Sequence, residues 1–177
     1  MVIEILRIGQ RLVRDDRVTT HVALVARAFG ASKIYMNEVN PKIKDTLDNV
    51  NKTWGGNFEI SFIDDWKKLV KERKNDSVRI VHLTMYGEDI NDMESKLEEE
   101  KDLLIVIGAE KVPRGIYDLA DYNIAIGSQP HSEISALAII LDRISKGRKF
   151  SASFDNAQRK IIPTKQGKNV LVNKTRD

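Results

Sequence analysis

The chain has 177 residues, of which 41% are apolar and 31% charged, enough for one compact core under a soluble surface. It contains no cysteine, which excludes disulfides, thiolate catalysis and cysteine-ligated zinc. The three histidines, His21, His82 and His131, are too scattered for metal-ligand spacing. No run approaches the roughly 18 apolar residues of a bilayer span, and the segment Met1 to Arg7 has an early acidic residue and no small-residue cleavage site. The expectation is a metal-free cytoplasmic protein with no membrane partner.

The net charge of +3 averages two unequal parts. Residues 148–177 carry eight basic side chains (Arg148, Lys149, Arg159, Lys160, Lys165, Lys168, Lys174 and Arg176) against Asp155 and Asp177, whereas the first 147 residues are net acidic. A second basic cluster, Arg7, Arg11, Arg14 and Arg17, faces only Asp15 and Asp16. Basic segments on an acidic body point to a polyanion partner, the alternative being a solvated tail.

In chain order, short β-branched runs predict strands at 2–8, 32–36, 58–63, 78–83, 103–107 and 122–126. Helices are expected between them. Over 20–29 a weak pattern ends at Gly30. Over 40–54, Asn40 can cap and Pro41 can take the first helical position, with Ile43, Leu47, Val50 and Trp54 on one face before Gly55-Gly56. Weaker patterns cover 65–73, with Asp64-Asp65 as a cap, and 89–99. The pattern over 131–146 turns Ile134, Leu137, Ala138, Leu141 and Ile144 inward and stops at Gly147. Strand–helix alternation predicts an α/β domain on a mostly parallel sheet flanked by helices. The run Leu103-Leu104-Ile105-Val106-Ile107, apolar on both faces, fits a central strand. Residues 1–147 form the expected domain, and 148–177 a basic extension docked on it, with a small hairpin around Gln166-Gly167-Lys168.

Ligands of open parallel sheets bind beyond the carboxyl ends of the strands. Three turns fall there: Leu83-Thr84-Met85-Tyr86-Gly87, Gly108 to Tyr117, and Gly127 to Glu133. Familiar phosphate cradles do not fit, since Ile116 and Tyr117 stand where a P-loop needs Lys and Ser or Thr, and no G-x-G-x-x-G occurs.

The run Ile107-Gly108-Ala109-Glu110-Lys111-Val112-Pro113 and the loop Ile126-Gly127-Ser128-Gln129-Pro130-His131-Ser132-Glu133 resemble the second and third motifs of the SPOUT methyltransferases. Together with Arg17 to Leu24, Ala26 to Ala31 and Val81 to Gly87, they resemble the archaeal tRNA cytidine-56 2′-O-methyltransferase family within that class, over roughly residues 5–172. Ser128 departs from the family's usual Asn. The resemblance implies a carboxy-terminal trefoil knot, a homodimer, tRNA as partner with no DNA, and S-adenosylmethionine (SAM) as cofactor. It implies cofactor contacts at Leu83, at Gly108, Ala109, Glu110, Lys111 and Val112, and at Ile126, Gly127, Ser128, Gln129, Pro130, His131, Ser132 and Glu133. The implied reaction is 2′-O-methylation of a tRNA ribose. The alternatives are action on another RNA or a base nitrogen, or a non-catalytic RNA-binding module. An arginine of the first motif is the implied proton acceptor, Arg17 or Arg27. His21, whose type of side chain suits proton transfer near neutrality, competes with them. His82 and Trp54 read as structural.

Overall fold

A computed structural model describes residues 1–9, 16–37, 39–109, 111–151 and 153–173. Six parallel strands form one sheet in the order β3-β2-β1-β5-β4-β6. They are β1 (Val2–Ile8), β2 (Lys33–Met36), β3 (Glu59–Phe62), β4 (Arg79–Asp89), β5 (Asp102–Gly108) and β6 (Tyr122–Ala125). The helices are α1 (Asp16–Ala28), α2 (Lys42–Trp54), α3 (Trp66–Asn75), α4 (Ile90–Glu98), α5 (Gly115–Leu119) and α6 (Glu133–Ser145). β1 and β5 lie at the centre, paired from Val2 with Asp102 to Ile8 with Gly108. Leu103 to Ile107 are almost wholly buried, as a strand covered on both faces must be.

Two cores sandwich the sheet. On one face α1, α2, α4 and α6 pack Val22, Ala26, Leu47, Leu97, Leu137 and Leu141 against Ile3, Ile5, Ile105 and Ile107. On the other, α3 and α5 pack Trp66, Val70 and Ile116 against Leu6, Ile80, Leu104 and Val106. The strand positions alternate between the two cores, as the two-residue pleat dictates.

Most expected elements fall within a few residues of their sequence positions, and the exceptions have physical causes. α1 begins at Asp16, ahead of the expected Thr20. The β-branched Val18, Thr19 and Thr20 weaken the local helix signal, and burial on the sheet overrides it. In α6 the buried set is Ala136, Leu137, Ile140, Leu141, Ile144 and Ser145. Ile134 and Ala138, expected inward, are only half-buried, because α6 lies between α1 and α4 and buries a different stripe. Lys146 in the left-handed conformation precedes Gly147 as the stop of α6. Pro41 occupies the cap position of α2, while Asn40 Oδ1 accepts from the Lys42 amide at 3.1 Å. Asp65 caps α3 as its sequence position suggests, accepting from the amides of Lys67 and Lys68. α5 was not expected: its single turn lies in a stretch that reads as loop.

The largest departure shapes the site. β4, expected to end at Leu83, pairs with β6 up to Leu83 opposite Ile124, then bulges outward over four residues and resumes with Glu88 opposite the same Ile124. Gly87 makes this return possible. A Cβ there would stand 2.4 Å from the carbonyl oxygen of Asn123 and 2.6 Å from the amide nitrogen of Ile124, so only glycine lets the two backbones approach.

After α6 a 3₁₀ turn spans Arg148–Ser151, and an antiparallel hairpin pairs β7 (Arg159–Ile161) with β8 (Val170–Val172). Phe150 meets Phe29 edge-to-face with centroids 5.6 Å apart, and the Gly56 amide donates to the carbonyl of Asp155 at 2.9 Å. The hairpin strands are exposed throughout.

Candidate cofactor site

Parallel strands share one direction, so the bulge of β4 and the turns after β5 and β6 converge at one edge of the sheet. They enclose a cavity of about 350 Å³ lined by Leu83, Thr84 and Met85, by Ile107, Gly108, Ala109 and Lys111, and by Ile126, Gln129 to Glu133 and Ala136. The size is that of a small-molecule site. Leu83, Ile107, Ile126 and Ala136 supply apolar walls, and the loops around Gly108 and Gly127 supply backbone groups. Gly127 has φ +70°, a conformation that favours glycine. Such a combination suits a flat, heteroatom-rich ring.

The 126–133 loop is braced from within. His131 Nε2 donates to the carbonyl of Ile126 at 2.6 Å, closing the loop across its mouth. Ser132 accepts from the Ser135 amide and starts α6. Glu133 pairs through Oε1 with Arg7 Nη2 at 3.4 Å, and Arg7 Nη1 donates to the carbonyl of Gly9 at 3.3 Å. Arg7 is only 1% exposed. A charge so deeply buried requires compensation, and here its partner lines the cavity. The pair thereby ties the end of the central strand to the start of α6.

Nearly all the expected cofactor contacts meet at this cavity. Leu83, Gly108, Ala109, Lys111, Ile126, Gln129, Pro130, His131, Ser132 and Glu133 line it. Gly127 and Ser128 belong to the same loop without lining it, and Val112 lines a neighbouring cavity. Glu110 lies outside the described residues.

The three candidates for proton transfer separate. Arg17 and His21 are exposed on the first two turns of α1, which begins at the carboxyl end of β1. That is the cavity's end of the sheet, although neither residue lines the cavity. Arg27 sits at the opposite end of the helix, about 15 Å along its axis from Arg17. It is 7% exposed, its Nε donates to Asn51 Oδ1 at 2.9 Å, its Nη2 donates to the carbonyl of Gly55 at 2.5 Å, and its guanidinium covers the Phe154 ring at 4.5 Å. Burial lowers its pKa from the usual arginine value. Arg27 thus has a full set of structural partners on α2 and on the segment after α6.

Thr84, Met85 and Ile107, which lie in the turn and motif singled out by the sequence without being among the implied contacts, also line the cavity, as does Ala136. Arg7, which the sequence groups with a basic cluster, proves to be buried beside it. A usable signal existed. Position 7 follows Ile3 and Ile5 on one face of an apolar strand, where a cation needs a partner. Arg11 and Arg14 of that cluster lie outside the described residues.

Residues 54–171 match the family described as tRNA ribose 2′-O-methyltransferase, aTrm56. A tRNA (cytidine(56)-2′-O)-methyltransferase of Nitrosopumilus maritimus is 68% identical, with 100% of each chain covered. One from Cenarchaeum symbiosum is 58% identical over 97% of each. The fold is similar to the SpoU methyltransferase AviRb from Streptomyces viridochromogenes, solved in complex with the cofactor AdoMet. That likeness has a TM-score of 0.60 at 12% identity, covers 83% of this chain and 57% of that one, and concerns the fold alone. The chain belongs to the aTrm56 family of tRNA ribose 2′-O-methyltransferases.

Proposed function

We propose that the chain methylates the 2′-hydroxyl of a tRNA ribose, at cytidine 56 as the names of its relatives state, using SAM. The convergence of the 83–85, 107–111 and 126–133 segments on one apolar-walled cavity carries the reading. SAM supplies an electrophilic methyl group on a sulfonium when bound. The residues fit that group. Leu83, Ile107, Ile126 and Ala136 would wall its adenine ring, and the loop backbones around Gly108 and Ile126 would offer donors and acceptors. Glu133 offers a carboxylate to a cationic ligand.

The remaining chemistry is alignment of the ribose oxygen and removal of its proton. Arg17 and His21 stand at the appropriate end of α1 for that task. An arginine side chain stays protonated, so Arg17 suits holding an RNA phosphate or the developing oxyanion, and His21 suits the proton. Neither lines the cavity of its own chain, which favours a homodimer in which α1 of one protomer faces the cavity of its partner. The exposed basic residues Arg148, Lys149, Arg159, Lys160, Lys165 and Lys168 form the surface proposed to hold tRNA phosphates. No helix among the described residues is long and apolar enough to cross a membrane. The proposed location is the cytoplasm, where tRNA is found.

The test is to incubate the purified chain with an unmodified tRNA transcript and methyl-labelled SAM, then digest to nucleosides. Label in 2′-O-methylcytidine from a single site is expected. Label in a base-methylated nucleoside, or none with SAM bound, refutes the reading. Light scattering that finds an active monomer at micromolar concentration refutes the shared site.

A further inference from the structure

On the α5 face of the sheet lies a second cavity of about 670 Å³, where of the expected cofactor contacts only Leu83, Gly108, Lys111 and Val112 reach and where His82, Tyr86, Arg114 and Tyr117 are left without a role. It shares Leu83, Thr84, Met85, Gly108 and Lys111 with the first cavity and adds His82, Tyr86, Arg114 and Tyr117.

His82 is the informative residue. It is 0% exposed, and its ring meets Tyr117 edge-to-face with centroids 4.7 Å apart. Nδ1 lies 2.8 Å from Asn123 Oδ1. The Asn123 amide cannot be turned round, because its Nδ2 donates to the carbonyl of Tyr117 at 3.1 Å. An amide oxygen therefore faces the imidazole, and Nδ1 must carry the proton. Nε2 is left as a bare acceptor, buried and without a hydrogen-bond partner. Buried acceptors in native proteins are seldom left so, and this one belongs to a residue lining a cavity.

The rest of the lining complements it. Thr84 Oγ1 and Tyr117 OH are 2.9 Å apart, a contact that uses one of their two protons and leaves the other to donate elsewhere. Lys111 and Arg114 are exposed at the rim as cations for a phosphate. An acceptor, a hydroxyl donor and an aromatic wall beside two cations match a nucleotide whose base has an amine next to a ring acceptor.

We propose that this second cavity holds the base of the target nucleotide, the lining parting on binding so that His82 Nε2, covered in this structure, accepts from the exocyclic amine of cytosine while the Thr84–Tyr117 hydroxyl pair faces its acceptor edge. The inference rests on the proposed ribose methylation and deepens it. The ribose would lie at the shared residues between the two cavities, where its 2′-oxygen can reach the cofactor. Uracil carries a carbonyl where cytosine carries the amine, and would set lone pair against lone pair at Nε2.

The experiment compares tRNA transcripts with cytidine, uridine or pyrimidin-2-one ribonucleoside at the target, measuring kcat/KM for each and SAM affinity by calorimetry. Wild type should prefer cytidine, and removing the amine alone should cost roughly ten- to a hundredfold. His82→Phe should lose that factor on cytidine only, so the three transcripts become nearly equal, with SAM affinity unchanged. His82→Gln, which restores an acceptor, should recover much of the preference, and a merely structural histidine would not show this rescue. The RNA-side comparison in wild type decides the matter even where His82→Phe does not fold. Equal rates on cytidine and pyrimidin-2-one in wild type overturn the proposal. So does a loss of SAM affinity in His82→Phe as large as its loss of rate, which would give the cavity to the cofactor's adenine. A wild-type chain that methylates no ribose overturns the functional reading itself, which sets that failure apart from the others.

Discussion

Replacing Arg27 and Arg17 in turn tests the proposal that the first holds the fold and the second serves the reaction. Arg27→Ala removes the bonds to Asn51 Oδ1 and to the Gly55 carbonyl and uncovers Phe154. Hydrogen bonds to a charged group contribute roughly 1.5–3 kcal/mol each, and a partly desolvated cation–π contact about 0.5–2 kcal/mol. These contributions share one side chain and do not add fully. The expected loss is about 3–4 kcal/mol, or a fall in Tm of roughly 6–16 °C for a chain of this size. Arg27→Lys keeps the charge without the fork and should lose about half as much. At a temperature well below both transitions, and with saturating tRNA and SAM, Arg27→Ala should turn over within about threefold of wild type. Arg17→Ala should show the reverse. Arg17 is exposed, so its stability should change by less than about 0.5 kcal/mol, while turnover falls by about a hundredfold or the tRNA KM rises. Thermal unfolding followed by circular dichroism, paired with a methyl-transfer assay, reads both quantities. An Arg27→Ala variant with wild-type Tm and a hundredfold loss of turnover would refute the structural assignment.

Gly87→Ala should prevent folding or cost more than about 3 kcal/mol, because its Cβ would strike the Asn123 backbone. Gly115→Ala, whose Cβ meets nothing within 4 Å, should be neutral or stabilising by up to about 1 kcal/mol in the same denaturant titration. Burial holds His82 below the ordinary value of 6.5, so below that pH the unfolded chain takes up a proton that the native chain refuses. Stability should therefore fall as pH drops from 7 to 5, and His82→Gln should flatten this part of the Tm profile. Neutralising the exposed Lys165 and Lys168 should weaken tRNA binding and reduce the slope of log K against log salt by roughly one to two units, with SAM affinity unchanged. An unchanged slope returns this stretch to a solvated surface.

What the sequence revealed and concealed follows from the range of the interactions involved. The strands announce themselves because a β-branched run has the same meaning wherever it falls. Leu103 to Ile107 could hardly be anything but a central strand. Gly127 was legible because its conformation is a local demand on the backbone. The bulge in β4 was not, since only the proximity of Asn123 and Ile124, more than thirty residues away, requires Gly87. The surroundings of Arg7 and Arg27 stayed hidden for one reason. Arginine is usually a surface residue, so a cluster of four reads as a basic patch and an arginine in the first motif reads as chemistry. In each case the partner lies on another element, Glu133 for Arg7, Asn51 and Gly55 for Arg27. Neither pairing has a sequence spacing that a periodic pattern could expose.

The direction of the parallel sheet explains why α1 carries both kinds of arginine. A helix following a parallel strand runs back along it, so its first turn stays at the ligand end and its last turn returns to the far edge. Arg27 at that far edge joins α1, α2 and the segment around Phe154. The scaffold is therefore clamped about 15 Å along α1 from Arg17, and the cavity end can accept features that a folding core would resist. Those features are a bulge over four residues and a buried histidine with a bare nitrogen. Arg7 links this end back to the sheet. Its bond to Glu133 spans 126 positions in the sequence, so it requires α6 to be docked on the sheet. The cavity is thus complete only when the last helix is in place. Replacing Glu133 is then expected to disturb the cavity and the docking of α6 together, because it lines the one and supplies the ion pair of the other.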